Sequence, residues 1–341
     1  MPAAPAPAGP RILVTGADGQ LGRSLQALAA RDDSAAYAFA NRAQLDITDA
    51  SAIERWLDAR PTDYLINAAA YTAVDRAAAE PEAALAINAR APGLLARACA
   101  ARDIRLLHVS TDYVFDGTLD RAYRESDAPC PPNTYGRGKW LGEQAILETT
   151  ADAVILRTSW VFSAWGGNFV RTMLRLGAQH ERLRVIDDQI GGPTWAGHLA
   201  CVLHRLALRS RACGPGNGAA AAPAAPVPHR PSRQPHSDGA TASTASTRIP
   251  GGIYHFSGAP WVSWHGFAQE IFAQALELGL IQRLPAVEAI SSRDWPAPEP
   301  RPANSRLDCT RLETLLGPLE RGWRTGLSEV LRDWQASSGP V

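Results

Sequence analysis

Through the first half of the chain, short apolar runs alternate with longer segments in which apolar residues recur every three or four positions. Arg11–Gly16 (RILVTG), Tyr37–Ala40 (YAFA), Asp63–Ala70 (DYLINAAA), Arg105–Ser110 (RLLHVS) and Ala153–Ser159 (AVILRTS) read as strands buried on both faces. The stretches between them predict helices over Gln20–Ala30, Ala50–Arg60, Glu82–Arg102 and Thr134–Glu148. Strand, helix and strand repeated in this order imply an α/β fold built on a doubly wound parallel sheet, with helices on both faces.

Beyond Ser159 the rhythm breaks. The pattern predicts a helix over Asn168–Gln179, a strand over Leu183–Ile186 and helices over Trp195–Ser210 and Trp264–Gly279. Residues 212–250 collapse into Ala, Pro, Ser, Thr and Gly, a composition with too little apolar surface to offset the entropy of ordering, and a disordered insertion is expected there. Residues 1–10 (MPAAPAPAGP) read as a flexible tail.

Composition narrows the function classes. Thirty-four basic residues balance thirty-four acidic ones, so no net field favours nucleic acid or an anionic membrane, and neither is expected as a partner. The start lacks the basic region and apolar core of a signal peptide, and no apolar run is long enough to span a bilayer, so a cytoplasmic protein is expected. Cys99, Cys130, Cys201, Cys213 and Cys309 show no paired spacing, and the histidines show no ligand spacing; no structural metal is expected.

Candidate chemistry begins at the first strand-to-helix turn. In VTGADGQLG, Gly16, Gly19 and Gly22 follow a buried strand and open a helix, where a tight turn and free helix N–H groups suit a pyrophosphate. The second strand ends at Asn41 and Arg42 rather than at an acidic residue; a basic group suits a 2′-phosphate, which favours NADPH and leaves NADH open. Asp46 and Ile47 are candidates to flank the adenine, and Ala70, Tyr71 and Thr72 end the third strand at the edge where such sheets bind cofactors.

The stretch NTYGRGKWLGE places Tyr135 and Lys139 four apart, on one face of a helix. An ammonium beside a phenol lowers the phenol's pKa towards a value useful for proton transfer, and the lysine can also reach a ribose hydroxyl. Upstream, Ser110, Thr111 and Asp112 close the fourth strand at the same edge, where a hydroxyl can hold a substrate carbonyl oxygen. Gly136 and Gly138 each cost about 1 kcal/mol against Ala in a helix, and they suggest close approach of the substrate or of a neighbouring strand.

Taken with INAAAYTAVDRAAAEPE, STDYVFDG, LRTSWVF, GGNFVRTMLRL, VIDDQIGGPTWA and RPANSRLD, these motifs resemble the extended short-chain dehydrogenase/reductases, and within them the dTDP-4-dehydrorhamnose reductase family, from Arg11 to Trp334. The resemblance implies a Rossmann-type domain over 11–160, with 183–210 adding to it, and a smaller substrate-binding part over 161–182 and 251–336. It implies Thr111, Tyr135 and Lys139 as catalytic residues, with Asp112 and Trp160 on the nucleotide sugar. Cofactor contacts are implied at Gly19, Gln20, Leu21, Asp46, Ile47, Ala70, Tyr71, Thr72 and Val109.

Asn168, and Arg301 and Asn304 within RPANSRLD, are further candidates to reach the sugar or its pyrophosphate. The implied activity is NAD(P)H-dependent reduction of a dTDP-4-keto-6-deoxysugar by a homodimer. Two rivals fit the same residues: an epimerase or other nucleotide-sugar enzyme of the same fold, and a non-catalytic NADP-binding subunit.

Overall fold

A computed structural model describes residues 9–209, 248–295 and 297–337. The first half runs β1 (Arg11–Thr15), α1 (Gln20–Ala29), β2 (Ala36–Ala40), α2 (Ala50–Ala59), β3 (Tyr64–Asn67), α3 (Val74–Ala79), α4 (Pro81–Leu85), α5 (Ala91–Ala100), β4 (Arg105–Thr111), α6 (Thr134–Thr149) and β5 (Val154–Thr158). It continues through β6 (Val161–Phe162), α7 (Phe169–Gln179), β7 (Arg182–Ile186), β8 (Ile190–Gly191), β9 (Thr194–Trp195) and α8 (Ala196–Arg209). After the undescribed 210–247 come β10 (Gly252–His255), β11 (Val262–Ser263), α9 (Trp264–Glu277), β12 (Ala286–Ile290), β13 (Asn304–Ser305), α10 (Thr310–Leu316) and α11 (Trp323–Ala336).

Six strands form one parallel sheet in the order β10-β5-β4-β3-β1-β2. Alternation along the strands splits the core in two. Ile12, Val14, Leu107 and Leu156 face one helical layer with Leu199 and Leu203 of α8, while Leu13, Leu65, Leu106 and Ile155 face the other with Ile53, Leu57 and Leu95. The expectation that all five early strands are buried on both faces fails for β2, whose residues are mostly half-buried because it lies at the sheet edge. A separate core gathers Phe162, Val170, Leu174, Phe267, Ile271, Trp323 and Leu327 under the second, smaller part of the chain.

The helix expected over Glu82–Arg102 runs without a gap from Pro81 to Ala100 but widens into a π-turn at Ala86–Arg90. Pro92 has no N–H for the carbonyl of Asn88 four residues earlier, so the ladder shifts: Ala91 N donates to Ala86 O instead. The freed Asn88 carbonyl then faces α6 closely. Among the described residues no helix is long and apolar enough to cross a membrane. The insertion expected at 212–250 lies outside the described residues except for its last three, as does the tail except for Gly9 and Pro10.

Candidate active site

The sheet order reverses between β1 and β3, and their carboxyl ends open into a cleft of about 370 Å³. Gly16 has φ +72°, and a Cβ there would lie 2.7 Å from the Ala69 nitrogen, so glycine is required both by conformation and by space. Gly19 caps α1 with extended backbone and no side-chain partner, leaving the helix's first N–H groups for an anion. Gly16, Gly19, Asn41, Arg42, Asp46, Ile47, Ala70 and Tyr71 all line this cleft. Gly22 does not: a Cβ there would sit 2.4 Å from Gly16 O, so it serves the packing of helix on turn.

The rim is held by local bonds. Asn41 N donates to Gln44 Oε1 (3.0 Å) and Gln44 N to Asn41 Oδ1 (3.1 Å), which closes the turn after β2 and leaves Arg42 exposed beside it. Asp46 accepts from the Thr48 hydroxyl (2.7 Å) and backbone N (2.9 Å), and these bonds hold its carboxyl below the ordinary range. Tyr71 sends its hydroxyl to Glu80 (2.6 Å), while its backbone is clamped by Asn88, which accepts from Tyr71 N and donates to Tyr71 O, both at 2.9 Å. Asp18, between Gly16 and Gly19 of the same turn, also lines the cleft.

A second cleft of about 460 Å³ shares Gly19, Ala68 and Ala70 with the first and continues along the carboxyl edge. Gln20, Leu21, Thr72, Val109, Thr111, Asp112, Tyr135, Lys139 and Trp160 line it. Asn133 starts α6 by accepting from Gly136 N (2.8 Å), which sets the angle at which Tyr135 and Lys139 enter. The helix glycines serve neither substrate nor strand. A Cβ at Gly136 would lie 2.1 Å from Tyr113 O, and one at Gly138 would lie 3.3 Å from the Asn88 Cβ, so they admit the turn after β4 and the π-turn. A Cβ at Gly142 would lie 2.2 Å from the freed Asn88 carbonyl.

Burial governs the titrating groups. The Tyr135 phenol is pushed up to about 12 by desolvation, with the Thr111 hydroxyl pulling it down and Asp112 pushing it further up. This reverses the expected depression by Lys139, whose amine is taken up elsewhere: it donates to Val109 O (2.7 Å) and lies 3.2 Å from His108 Nε2. Desolvation lowers Lys139 to about 8 against an opposing pull from Glu143. Thr111 Oγ1 donates to Asp112 Oδ1 (3.1 Å). The other oxygen of Asp112 is buried without a partner, and burial lifts this carboxyl to about 6 against the Ser305 and Thr111 hydroxyls.

Beneath these groups, Glu143 accepts from Ser110 (2.5 Å) and bidentately from Arg157 (2.9 and 2.6 Å), in a fully buried network that locks the last turn of β4 to α6. Trp160 adopts φ +49°, rare for a bulky residue, and stacks on Trp264 with ring centroids 3.5 Å apart. Gln20 Oε1 accepts from Ser163 Oγ (3.0 Å) and Asn168 Nδ2 (3.1 Å), which ties the glycine turn to the cap of α7.

Three candidates stand apart from both clefts. Asn168 acts on the site through Gln20. Arg301 is engaged with Asp75 (2.9 Å). Asn304 is buried, donating to Leu119 O (2.8 Å) and Arg121 O (2.7 Å) and accepting from Arg306, so its amide has no bond left for a sugar. Its place is structural: it fastens the 301–308 stretch to the loop after β4.

The chain is similar to known proteins in sequence and in fold. A family model described as the RmlD substrate binding domain matches residues 10–217 and 239–336. The dTDP-4-dehydrorhamnose reductase of Aggregatibacter actinomycetemcomitans is 37% identical over 94% of this chain and 98% of its own, and that of Burkholderia thailandensis is 37% identical over 95% and 98%. Among solved structures, the dTDP-4-dehydrorhamnose reductase of Clostridium acetobutylicum superposes with a TM-score of 0.78 at 29% identity, over 95% of this chain and 99% of its own. That of Bacillus anthracis, in complex with NADP, gives 0.77 at 30% identity over the same shares. By sequence and by fold, the chain belongs to the dTDP-4-dehydrorhamnose reductase family.

Proposed function

We propose that the protein reduces the C4 keto group of dTDP-4-dehydro-L-rhamnose to give dTDP-L-rhamnose, with NADPH preferred over NADH. The observation that carries this reading is the shared wall of the two clefts: the cradle at Gly16 and Gly19 runs directly into the space lined by Thr111, Tyr135 and Lys139. The open N–H groups of α1 and the Gly16 turn fit a dinucleotide pyrophosphate. Bound reduced nicotinamide supplies the hydride that reaches C4.

The chain's own groups handle the oxygen. Thr111 donates its hydroxyl hydrogen to the carbonyl oxygen on turning from Asp112, and Tyr135 gives its proton to the alkoxide as that charge develops. A phenol near 12 stays protonated at neutral pH and is still a stronger acid than an alcohol, so the transfer runs downhill. Lys139, as ammonium, stabilises the tyrosinate left behind and orients the cofactor ribose. Trp160, pinned by Trp264, walls the sugar, and Arg42 favours the 2′-phosphate. Glu143, the acid of the buried network beneath these groups, is spent on Arg157 and Ser110, so it does not serve as a second free carboxylate for dehydration.

Incubation with dTDP-4-dehydro-L-rhamnose and each reduced nicotinamide, followed by product analysis, tests the reading. Formation of dTDP-L-rhamnose with matching oxidation of NADPH is expected. Turnover without net oxidation of added NAD(P)H would overturn it.

A further inference from the structure

Lys139 is the only lysine in the 341 residues; every other basic side chain of the Lys and Arg class is arginine. An arginine holds its proton at any accessible pH, so this position carries the one such side chain able to surrender a proton near neutrality. What surrounds its amine therefore decides how it behaves.

Asn67 fixes the partner. Its Oδ1 accepts from the Thr15 hydroxyl (2.7 Å) and from Ala69 N (3.2 Å), and this turns its Nδ2 to His108 Nδ1 at 3.0 Å. The opposite amide orientation would set NH2 against the Ala69 N–H. A donor facing Nδ1 makes Nδ1 the acceptor, so the neutral ring carries its hydrogen on Nε2. Nε2 lies 3.2 Å from the Lys139 amine. An ammonium there meets Nε2–H donor against donor, whereas a neutral amine accepts from it and still donates to Val109 O at 2.7 Å.

We propose that His108 is a positioning residue of the reduction site: in the tautomer fixed by Asn67 it presents Nε2–H to the Lys139 amine, aims that amine and favours its neutral form. The proposal rests on the reductase reading. Tyr113, edge-on to Tyr135, lines the cleft that Lys139 enters. Tyr135 and Glu143 belong to the lysine's own helix, with Glu143 paired to Arg157 of β5 and Ser110 of β4, and Asp112 lines the same cleft. His108 is fully buried and held neutral, first by desolvation and then by the Lys139 charge. After each reduction Tyr135 regains its proton from water, and a neutral Lys139 amine, received by Nε2–H, no longer supplies the charge that stabilises the tyrosinate. Reduction thus fades as pH rises through the titration of Lys139.

The single lysine gives a direct test, because protein grown with isotope-labelled lysine has one lysine side-chain NMR signal. In the wild type its titration is expected near 8. His108→Gln, whose amide oxygen can turn to the amine, and Asn67→Asp, whose carboxylate claims the hydrogen on Nδ1 and leaves Nε2 an acceptor, should both raise the midpoint by about one pH unit or more. The alkaline limb of kcat should move with it, while KM for NADPH changes less than about twofold. A folded His108→Gln protein with an unmoved lysine midpoint overturns the proposal, as does a wild-type midpoint above 10. Should the variants fail to fold, the wild-type ¹⁵N-histidine spectrum decides, and an Nδ1–H ring at His108 overturns it. Shifted titrations in a protein that does not reduce the sugar would count against the reductase reading alone; an active enzyme with an unmoved lysine would count against the histidine alone.

Discussion

Asn168 and Gln20, 148 residues apart in sequence, meet at 3.1 Å, so the cap of α7 and the glycine turn after β1 share one hydrogen-bonded joint. Asn168 also accepts from Arg171 N at 3.1 Å as the N-cap itself. Replacing it with alanine removes both functions. Asn168→Ala should lower stability by about 1 kcal/mol and raise KM for both the dinucleotide and the sugar, whereas a cap alone would leave both KM values untouched. Thermal melts and initial-rate kinetics separate the two outcomes.

Tyr135→Phe removes the proton donor and little else, since Tyr135 lines the cleft with Thr111 and Lys139 and its phenol meets the Thr111 hydroxyl. kcat should fall about 10²- to 10⁴-fold with NADPH affinity preserved. A variant retaining more than about a tenth of wild-type kcat would assign the proton to another group.

Asp112 is a built-in instability. Its folded-state pKa of about 6 lies above the ordinary carboxylate value of 3.8, so its contribution is fully present below about 4 and is lost as pH rises through 6. The loss amounts to about 3 kcal/mol at neutral pH as an upper figure. Asp112→Asn should therefore melt higher than the wild type at pH 7–8, with the advantage vanishing near pH 4, and should lose sugar affinity. Equal melting gains at both pH values would show that the buried charge is not the cause.

Gly138 and Gly142 look alike in sequence and differ in space. An added methyl meets the Asn88 Cβ at 3.3 Å from Gly138 but the Asn88 carbonyl at 2.2 Å from Gly142. Gly138→Ala should stay within about 1 kcal/mol of the wild type, its helix propensity offsetting the tight contact. Gly142→Ala should cost about 3 kcal/mol and, by displacing Asn88 from the Tyr71 backbone, weaken dinucleotide binding. Chemical denaturation and fluorescence titration with NADPH measure both.

Arg42→Ala should raise KM for NADPH about tenfold and leave KM for NADH unchanged. Equal changes for both cofactors would place Arg42 outside the 2′-phosphate site.

Much of the site could be read along the chain because its backbone requirements are local. Gly16 must take a positive φ just after a buried strand, and the period of β1, β3 and β4 places the Gly16–Gly19, Ala70–Thr72 and Thr111–Asp112 motifs at one sheet edge. What escaped depends on partners far apart in sequence. Asn88 gained its role from Pro92, four residues on, and from two glycines of α6, and nothing in AINARAP alone announces a π-turn bracing Tyr71. Trp264 has no motif, yet it holds Trp160 in a strained backbone conformation. Arg301 and Asn304 have the chemistry of ligand contacts, but Asp75 and the 119–121 backbone claim them first. One signal is plain in the sequence itself: a chain that writes every other such base as arginine has a lysine at 139.

The route of the chain at α8 and β10 has an engineering consequence. α8 begins beside the second cleft, where Leu199 lines it, and runs away from it to Arg209; β10 begins with Gly252 level with Val154, the first residue of β5. The described residues that flank 210–247, Arg209 and Arg248, therefore lie towards the amino edge of the sheet, at the opposite end of the strands from Thr111 and Tyr135. A fluorophore, affinity handle or whole fused domain spliced in there would report on or immobilise the enzyme without crowding its mouth, a graft that the carboxyl-edge loops, each bearing part of the site, could not accept.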